Sequence, residues 1–227
     1  MFLLIGRIEF RVTDHQYRSI RFKPTKSNIN TMKKIFTSVL LLAACAYANA
    51  QKVQVLDRCE SLGEKPTQWY SNGSQTKLSE DHKEGTYAIS AKTEKAERLR
   101  KIYGQAFDTG VTKDNGYIAF WLFVERPELL NGNGQLALSS NASADKDAYG
   151  YPFGGLKIGS TKLVAGWNHV IAPLSSFKDI HDQPNLTAIN YFRILLYNEK
   201  DDLTAQEIKI DNIRFSTDKA QLEASAK

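Results

Sequence analysis

Cysteine, methionine, long apolar runs and enzyme signatures are all scarce in this chain, and each shortage removes a class of protein. Two cysteines in 227 residues exclude a disulfide-stapled scaffold and any zinc centre built from cysteines alone. No apolar run reaches the about 20 residues that a spanning helix needs, so no transmembrane segment is expected. Low-complexity tracts are missing, and a 24% share of charged residues is ordinary, which excludes a disordered chain. There is no phosphate-cradling glycine loop and no Gly-x-Ser-x-Gly elbow. His82, His169 and His181 lack metal-ligand spacing such as His-x-x-x-His. Glu125 and Glu128, the nearest carboxylate pair, flank Pro127 in a turn-like stretch where solvated charge is the default. A carboxylate pair for glycoside hydrolysis is a spatial feature, about 5–9 Å apart, that sequence does not display.

What is present begins with a leader. Lys33 and Lys34 precede the apolar stretch Ile35 to Ala46, and Ala48-Asn49-Ala50 is a small-x-small cleavage site. These three parts define a secretory signal peptide over 32–50, with Gln51 as the mature N-terminus. Residues 1–31 then read as a mis-assigned N-terminal extension, with Met32 as the initiator. Leu42-Ala43-Ala44-Cys45 also resembles a bacterial lipobox, and lipidation at Cys45 would tether the product to a membrane. The expectation is an exported protein, periplasmic, cell-surface or extracellular. Cys59 then has no intramolecular partner and reads as a small buried apolar residue.

The leader also resolves the charge. The formal net charge of +5 suggests a nucleic-acid partner. Residues 1–50 hold eight of the 30 basic and two of the 25 acidic residues, which leaves 22 and 23 and a net of −1. A near-neutral body without a Lys/Arg run has no electrostatic footprint for nucleic acid.

Residues 51–217 alternate short apolar runs with polar, Gly- and Asn-rich turns, the pattern of an all-β antiparallel jelly-roll sandwich. Strands are expected at Lys52–Leu56, Thr86–Ala91, Leu99–Phe107, Gly116–Val124, Gly134–Ser140, His169–Ala172, Tyr191–Tyr197 and Glu207–Phe215. Thr93–Arg100 is the one plausible helical turn, 145–155 a long aromatic-bearing loop, and 218–227 a flexible tail. Asn131-Gly132-Asn133-Gly134 is a turn signal, since both residue types accept positive φ.

Alternation sorts two strands into faces. Ile118, Phe120, Leu122 and Val124 oppose Tyr117, Ala119, Trp121 and Phe123; Phe192, Ile194 and Leu196 oppose Tyr191, Arg193, Leu195 and Tyr197. The apolar sets belong in the core. The opposite sets are aromatic-rich with one arginine. Either loops or a helix cover them, or Tyr117, Trp121, Phe123, Tyr191, Arg193 and Tyr197, joined by Tyr149 and Tyr151, form a concave platform for a glycan. Rings stack on sugar C–H surfaces while an arginine fork binds hydroxyls. Trp69-Tyr70 either reaches the same groove or anchors a loop to the core.

Four segments carry a family resemblance. Val55-Leu56-Asp57-Arg58-Cys59-Glu60 precedes Glu84-Gly85-Thr86-Tyr87-Ala88-Ile89; Gly166-Trp167-Asn168-His169-Val170-Ile171-Ala172-Pro173-Leu174 follows; Ile208-Lys209-Ile210-Asp211-Asn212-Ile213-Arg214-Phe215 closes. In this order they resemble the galactose-binding-domain-like jelly rolls, including family 11-type carbohydrate-binding modules, over about Val53 to Phe215. The resemblance implies carbohydrate binding without catalysis. It also implies a structural calcium ion between the terminal strands, with Asp57, Glu60, the backbone around Lys83, and Asp211 as candidate ligands. Ile208 and Ile210 share one parity and Ile213 and Phe215 the other, so an extra residue, a β-bulge, is expected at Asp211-Asn212. Fold does not fix function. A surface module that binds another protein, and an enzyme acting on polysaccharide, are the alternatives.

Overall fold

The computed structural model describes residues 53–71, 75–93, 96–153, 155–199 and 205–225. The N-terminal extension, the signal peptide with Cys45, and Asn72-Gly73 lie outside the described residues. In chain order the strands are β1 (Gln54–Asp57), β2 (Lys77–Ser79), β3 (Ala88–Thr93), β4 (Ala96–Phe107), β5 (Tyr117–Val124), β6 (Gln135–Ser139) and β7 (Tyr149–Pro152). They continue with β8 (Lys157–Ile158), β9 (Thr161–Lys162), β10 (Gly166–Pro173), β11 (Lys178–Asp179), β12 (Ile189–Tyr197) and β13 (Gln206–Ser216), and helix α1 (Lys219–Ala224) follows.

Two antiparallel sheets face each other. One runs β10-β5-β13-β3-β2, with β1 alongside the second half of β13; the other runs β11-β7-β6-β12-β4. This is the all-β sandwich that alternation requires, because each sheet has one apolar face to bury. Ile118, Phe120, Leu122 and Val124 of β5 and Phe192, Ile194 and Leu196 of β12 all face inward and are buried. Trp69, Phe192 and Phe120 bridge the layers edge-to-face, with consecutive centroids 6.0 Å apart, a favoured aromatic geometry. Cys59 is free and fully buried, and desolvation pushes its thiol well above the usual range.

The bulge stands where parity slips. The register of β13 against β5 shifts between Asp211 and Arg214, and Asn212 takes φ 47°. Below the shift β13 pairs with β3, and beyond it with β1. At the Asn131 turn, Gly132 takes φ 77° and Asn133 N–H donates to Asn131 Oδ1 at 2.9 Å.

Three local expectations fail. The helical turn expected over Thr93–Arg100 fails at its described residues: Thr93 ends β3 and Ala96 to Arg100 lie in β4, opposite Arg193 to Tyr197 of β12, because long-range pairing overrides a weak local propensity. The 145–155 loop contains β7, which pairs with β6. The tail is not wholly frayed: Asp218 caps α1 by accepting from Ala220 N–H at 2.9 Å, and Leu222 packs, fully buried, on Ala119 and Ile171.

Candidate functional site

The expected platform is divided between the two outer faces of the sandwich. Strand β5 lies in one sheet and β12 in the other, so Tyr117, Trp121 and Phe123 point away from Tyr191, Arg193 and Tyr197. Residues of equal parity share a surface only when their strands share a sheet, and sequence parity does not say which sheet.

On the outer face of the β5 sheet, cross-strand register builds two rows: His169–Trp121–Asp211 and Trp167–Phe123–Lys209. Their ring surfaces are engaged internally. Trp121 lies against His169 at 4.6 Å between centroids and under Lys83 Nζ at 5.1 Å; Phe123 meets Trp167 at 5.6 Å and Lys209 Nζ at 4.4 Å. The β2–β3 connection then closes the edges. Trp121 Nε1 donates to Glu84 Oε1 at 3.1 Å and Trp167 Nε1 to Asp81 Oδ1 at 3.0 Å. Lys209 pairs with Asp81 at 2.6 Å, and buried Arg214 with Glu84 at 3.0 Å. Helix α1 covers the rest, packing against Tyr117, and Arg214 Nη1 donates to Ser225 Oγ at 2.7 Å. Burial, then the nearby Arg214 cation, pushes His169 down to about 4.

The outer face of the β12 sheet is arranged otherwise. Register sets Arg100 opposite Arg193, Arg193 opposite Ala137, Ala137 opposite Gly150, and Gly150 opposite Lys178. Tyr70 extends this row beyond β4, because its N–H and carbonyl exchange 2.9 Å hydrogen bonds with those of Arg100. Alternation therefore turns Trp69 into the core and Tyr70, 43% exposed, outward. The Arg100 guanidinium stacks over the Tyr70 ring at 4.7 Å. Arg193 Nη2 donates to Gln135 Oε1, while its Nε–H is buried without a partner. Ala137 and Gly150 in the middle of the row are buried, Gly150 beneath Ile180 and Gln135; Tyr197, 36% exposed, lies further along β12. Ala144, Ala148 and Ile180 wall one end by packing over Tyr191 and Ala137.

Of the sequence candidates, Arg193 and Tyr197 lie on this face. Tyr191 belongs to the same outward parity but is 3% exposed beneath the wall. Tyr149 and Tyr151 do not join it. They pair with Leu138 and Leu136 and face inward, Tyr149 buried in the core and Tyr151 accepting at its hydroxyl from Gly159 N–H at 3.1 Å. Tyr70, Arg100, Gln135 and Lys178 escaped selection; only Tyr70 carried a signal, as half of an exposed-or-anchoring pair.

The calcium candidates separate as well. Asp57 does not fit: its Oδ2 pairs with Lys101 Nζ at 2.8 Å and its Oδ1 accepts from Cys59 N–H at 2.8 Å. Lys83 N–H and Glu84 N–H both donate to Asp211 Oδ2 at 2.9 Å, and Thr86 N–H to Glu60 Oε1 at 2.9 Å. Gly85 takes φ 74°, and a Cβ there would sit 1.7 Å from Glu60 Oε1. Asp211 Oδ1 is buried without a partner, and burial holds this carboxyl up at about 6. Among the described residues no three His, Cys, Asp or Glu side chains cluster as a metal shell. The residues that suit a hard cation are Asp211 and Glu60, short of the six to eight oxygens calcium takes.

No protein-family model and no curated protein matches the chain. Among solved structures it is similar to the family 11 carbohydrate-binding module of a cellulosomal cellulase of Clostridium thermocellum, at 16% identity over 74% of this chain and 96% of that one, with a TM-score of 0.48. It is also similar to a family 30 carbohydrate-binding module from a cellulosomal cellulase of the same organism, at 9% identity over 74% and 99%, with a TM-score of 0.47. An agarase shows 12% identity over 74% of this chain but only 25% of its own, with a TM-score of 0.41. The architecture stands on this chain's own strand registers, and these likenesses carry no argument about its ligand. No helix among the described residues is long and apolar enough to cross a membrane.

Proposed function

We propose that this chain is an exported, non-catalytic carbohydrate-binding module whose glycan lies across the outer face of the β12 sheet. The observation that carries the reading is the in-register row Tyr70–Arg100–Arg193, an exposed ring and two guanidinium forks held side by side on regular strands. Strand spacing of about 4.8 Å makes the row from Tyr70 to Arg193 about 10 Å long, room for about two sugar units. Tyr70 stacks on a pyranose face and the forks donate to ring hydroxyls. Strand-borne groups are preorganised, so little ordering opposes binding. A shallow open face still favours modest affinity, on the order of micromolar to millimolar.

Affinity gel electrophoresis and a glycan array on the purified exported protein test this reading. Retardation by at least one polysaccharide, reduced in Tyr70→Ala, is the expected result; no binding to any glycan overturns it. Export rests on the 32–50 segment, and N-terminal sequencing of the secreted product is expected to start at Gln51.

A second reading rests on the partnerless Asp211 Oδ1. With Glu60 it holds a calcium ion between the β2–β3 connection and the bulge of β13. Millimolar calcium is expected to raise the melting temperature of the wild type and not of Asp211→Asn; equal melting curves with calcium and with chelator exclude it.

A further inference from the structure

We infer that the glycan bound on the β12 sheet is anionic, a polysaccharide carrying carboxylate or sulfate groups. This rests on the carbohydrate-binding reading above and specifies its ligand.

The first support is the register. Arg193 and Arg100 are directly opposite each other on adjacent antiparallel strands, a placement in which like charges repel and destabilise the sheet. Among the described residues no ion pair joins either guanidinium to a carboxylate. Arg193 has a side-chain amide as its partner, Gln135, and Arg100 the ring of Tyr70. Lys178, exposed and opposite Gly150 in the same row, adds a third cation. The sequence from Gln51 has a net charge of −1, so the row is a local feature rather than a share of a basic protein.

The second support is the chemistry of the guanidinium. Arg193 Nε–H is buried and Nη2 is bonded to Gln135, so an outside anion meets the cation at its remaining Nη donors. Charge-assisted bonds from a guanidinium to a carboxylate or sulfate are stronger than those to a neutral hydroxyl. Arg193 offers them beside a second, cation-bearing side chain. A local rule broken without compensation inside the fold is expected where a ligand supplies the compensation. A neutral sugar satisfies the hydrogen bond but leaves the repulsion, whereas an acidic sugar satisfies both. The exposed Tyr70 ring favours a sugar, whose C–H face stacks on it, over a peptide.

The test measures affinity for matched probes: polygalacturonate for carboxylate, dextran sulfate for sulfate ester, dextran and mixed-linkage β-glucan as neutral partners, and duplex DNA as an unrelated polyanion. At least one acidic glycan is expected to bind about tenfold or more tightly than the neutral ones, with affinity falling as salt rises. The polygalacturonate and dextran sulfate arms assign the anion. Arg100→Gln/Arg193→Gln is expected to abolish the preference and the salt dependence while keeping or raising the melting temperature, since the cross-strand repulsion is relieved, and Tyr70→Ala to weaken all glycans alike. Equal or tighter binding of neutral glycans overturns the anionic assignment and leaves the carbohydrate reading standing. DNA binding as tight as acidic glycan overturns it in favour of general polyanion affinity. Absence of binding to every glycan overturns the carbohydrate reading itself.

Discussion

Both outer faces of the sandwich set aromatic rings beside cations, yet their cations have different partners. Over the β5 sheet, Lys209 and Arg214 meet Asp81 and Glu84, which also receive the indole N–H groups of Trp167 and Trp121. Over the β12 sheet, Arg100 and Arg193 face each other across strands and meet a ring and an amide. The first pairs its cations with carboxylates inside the fold and works as structure, although Arg214 Nε, His169 Nε2 and Asp211 Oδ1 have no partner. The second leaves its positive charge for something outside the chain. Aromatic content alone does not separate the two; the presence of carboxylates does.

Substitutions can break this contrast. The largest effect is expected from Glu84→Ala, which strips the partner from a buried guanidinium. A loss of about 3 kcal/mol in denaturant unfolding is expected, with glycan affinity unchanged. Leu222→Ala removes the apolar anchor of α1 and should cost about 2 kcal/mol by the same measurement, again without touching binding. On the other face the order reverses. Tyr70→Ala is expected to weaken glycan binding about fivefold, roughly 1 kcal/mol, with unfolding unaltered, while Trp121→Phe leaves binding intact. If Trp121→Phe impairs binding as strongly as Tyr70→Ala, the division between a structural and a binding face is wrong.

A pH titration gives the smallest effect. His169 is held near 4 in the fold, below its value of about 6.5 in an unfolded chain. Its contribution is complete above the unfolded value and is lost as pH falls toward the folded one. Relative to His169→Asn, the wild type should lose about 1 kcal/mol between pH 7 and 5.5, read from paired unfolding curves. The raised Asp211 carboxyl acts in the opposite sense, and taking the difference between the two proteins removes it.

Much of the fold was legible because alternation is a local property. The β5 and β12 core sets and the slip in parity at Asp211-Asn212 are written in consecutive residues, and each appears where period two places it. Cys59 likewise reads as buried from its lack of a partner. The site was less legible. Arg100 sits in a stretch that resembles a helical turn until β12 pairs with it, and Lys178 lies in a two-residue strand with no period to read. Tyr149 and Tyr151 look like loop aromatics because nothing in their own segment announces a pairing with β6.

The sequence by itself determined the inward faces of β5 and β12, the bulge and the near-neutral charge from Gln51 onward, since these follow from residue spacing and counts. Only the tertiary structure decided that β5 and β12 belong to different sheets. It also decided that Asp81 and Glu84 close over one face, and that Tyr70, Arg100 and Arg193 share a row on the other. The physical reason is that hydrogen-bond register joins residues far apart in the chain. Parity assigns a side chain to a face, whereas its partners on that face are set by which strands pair.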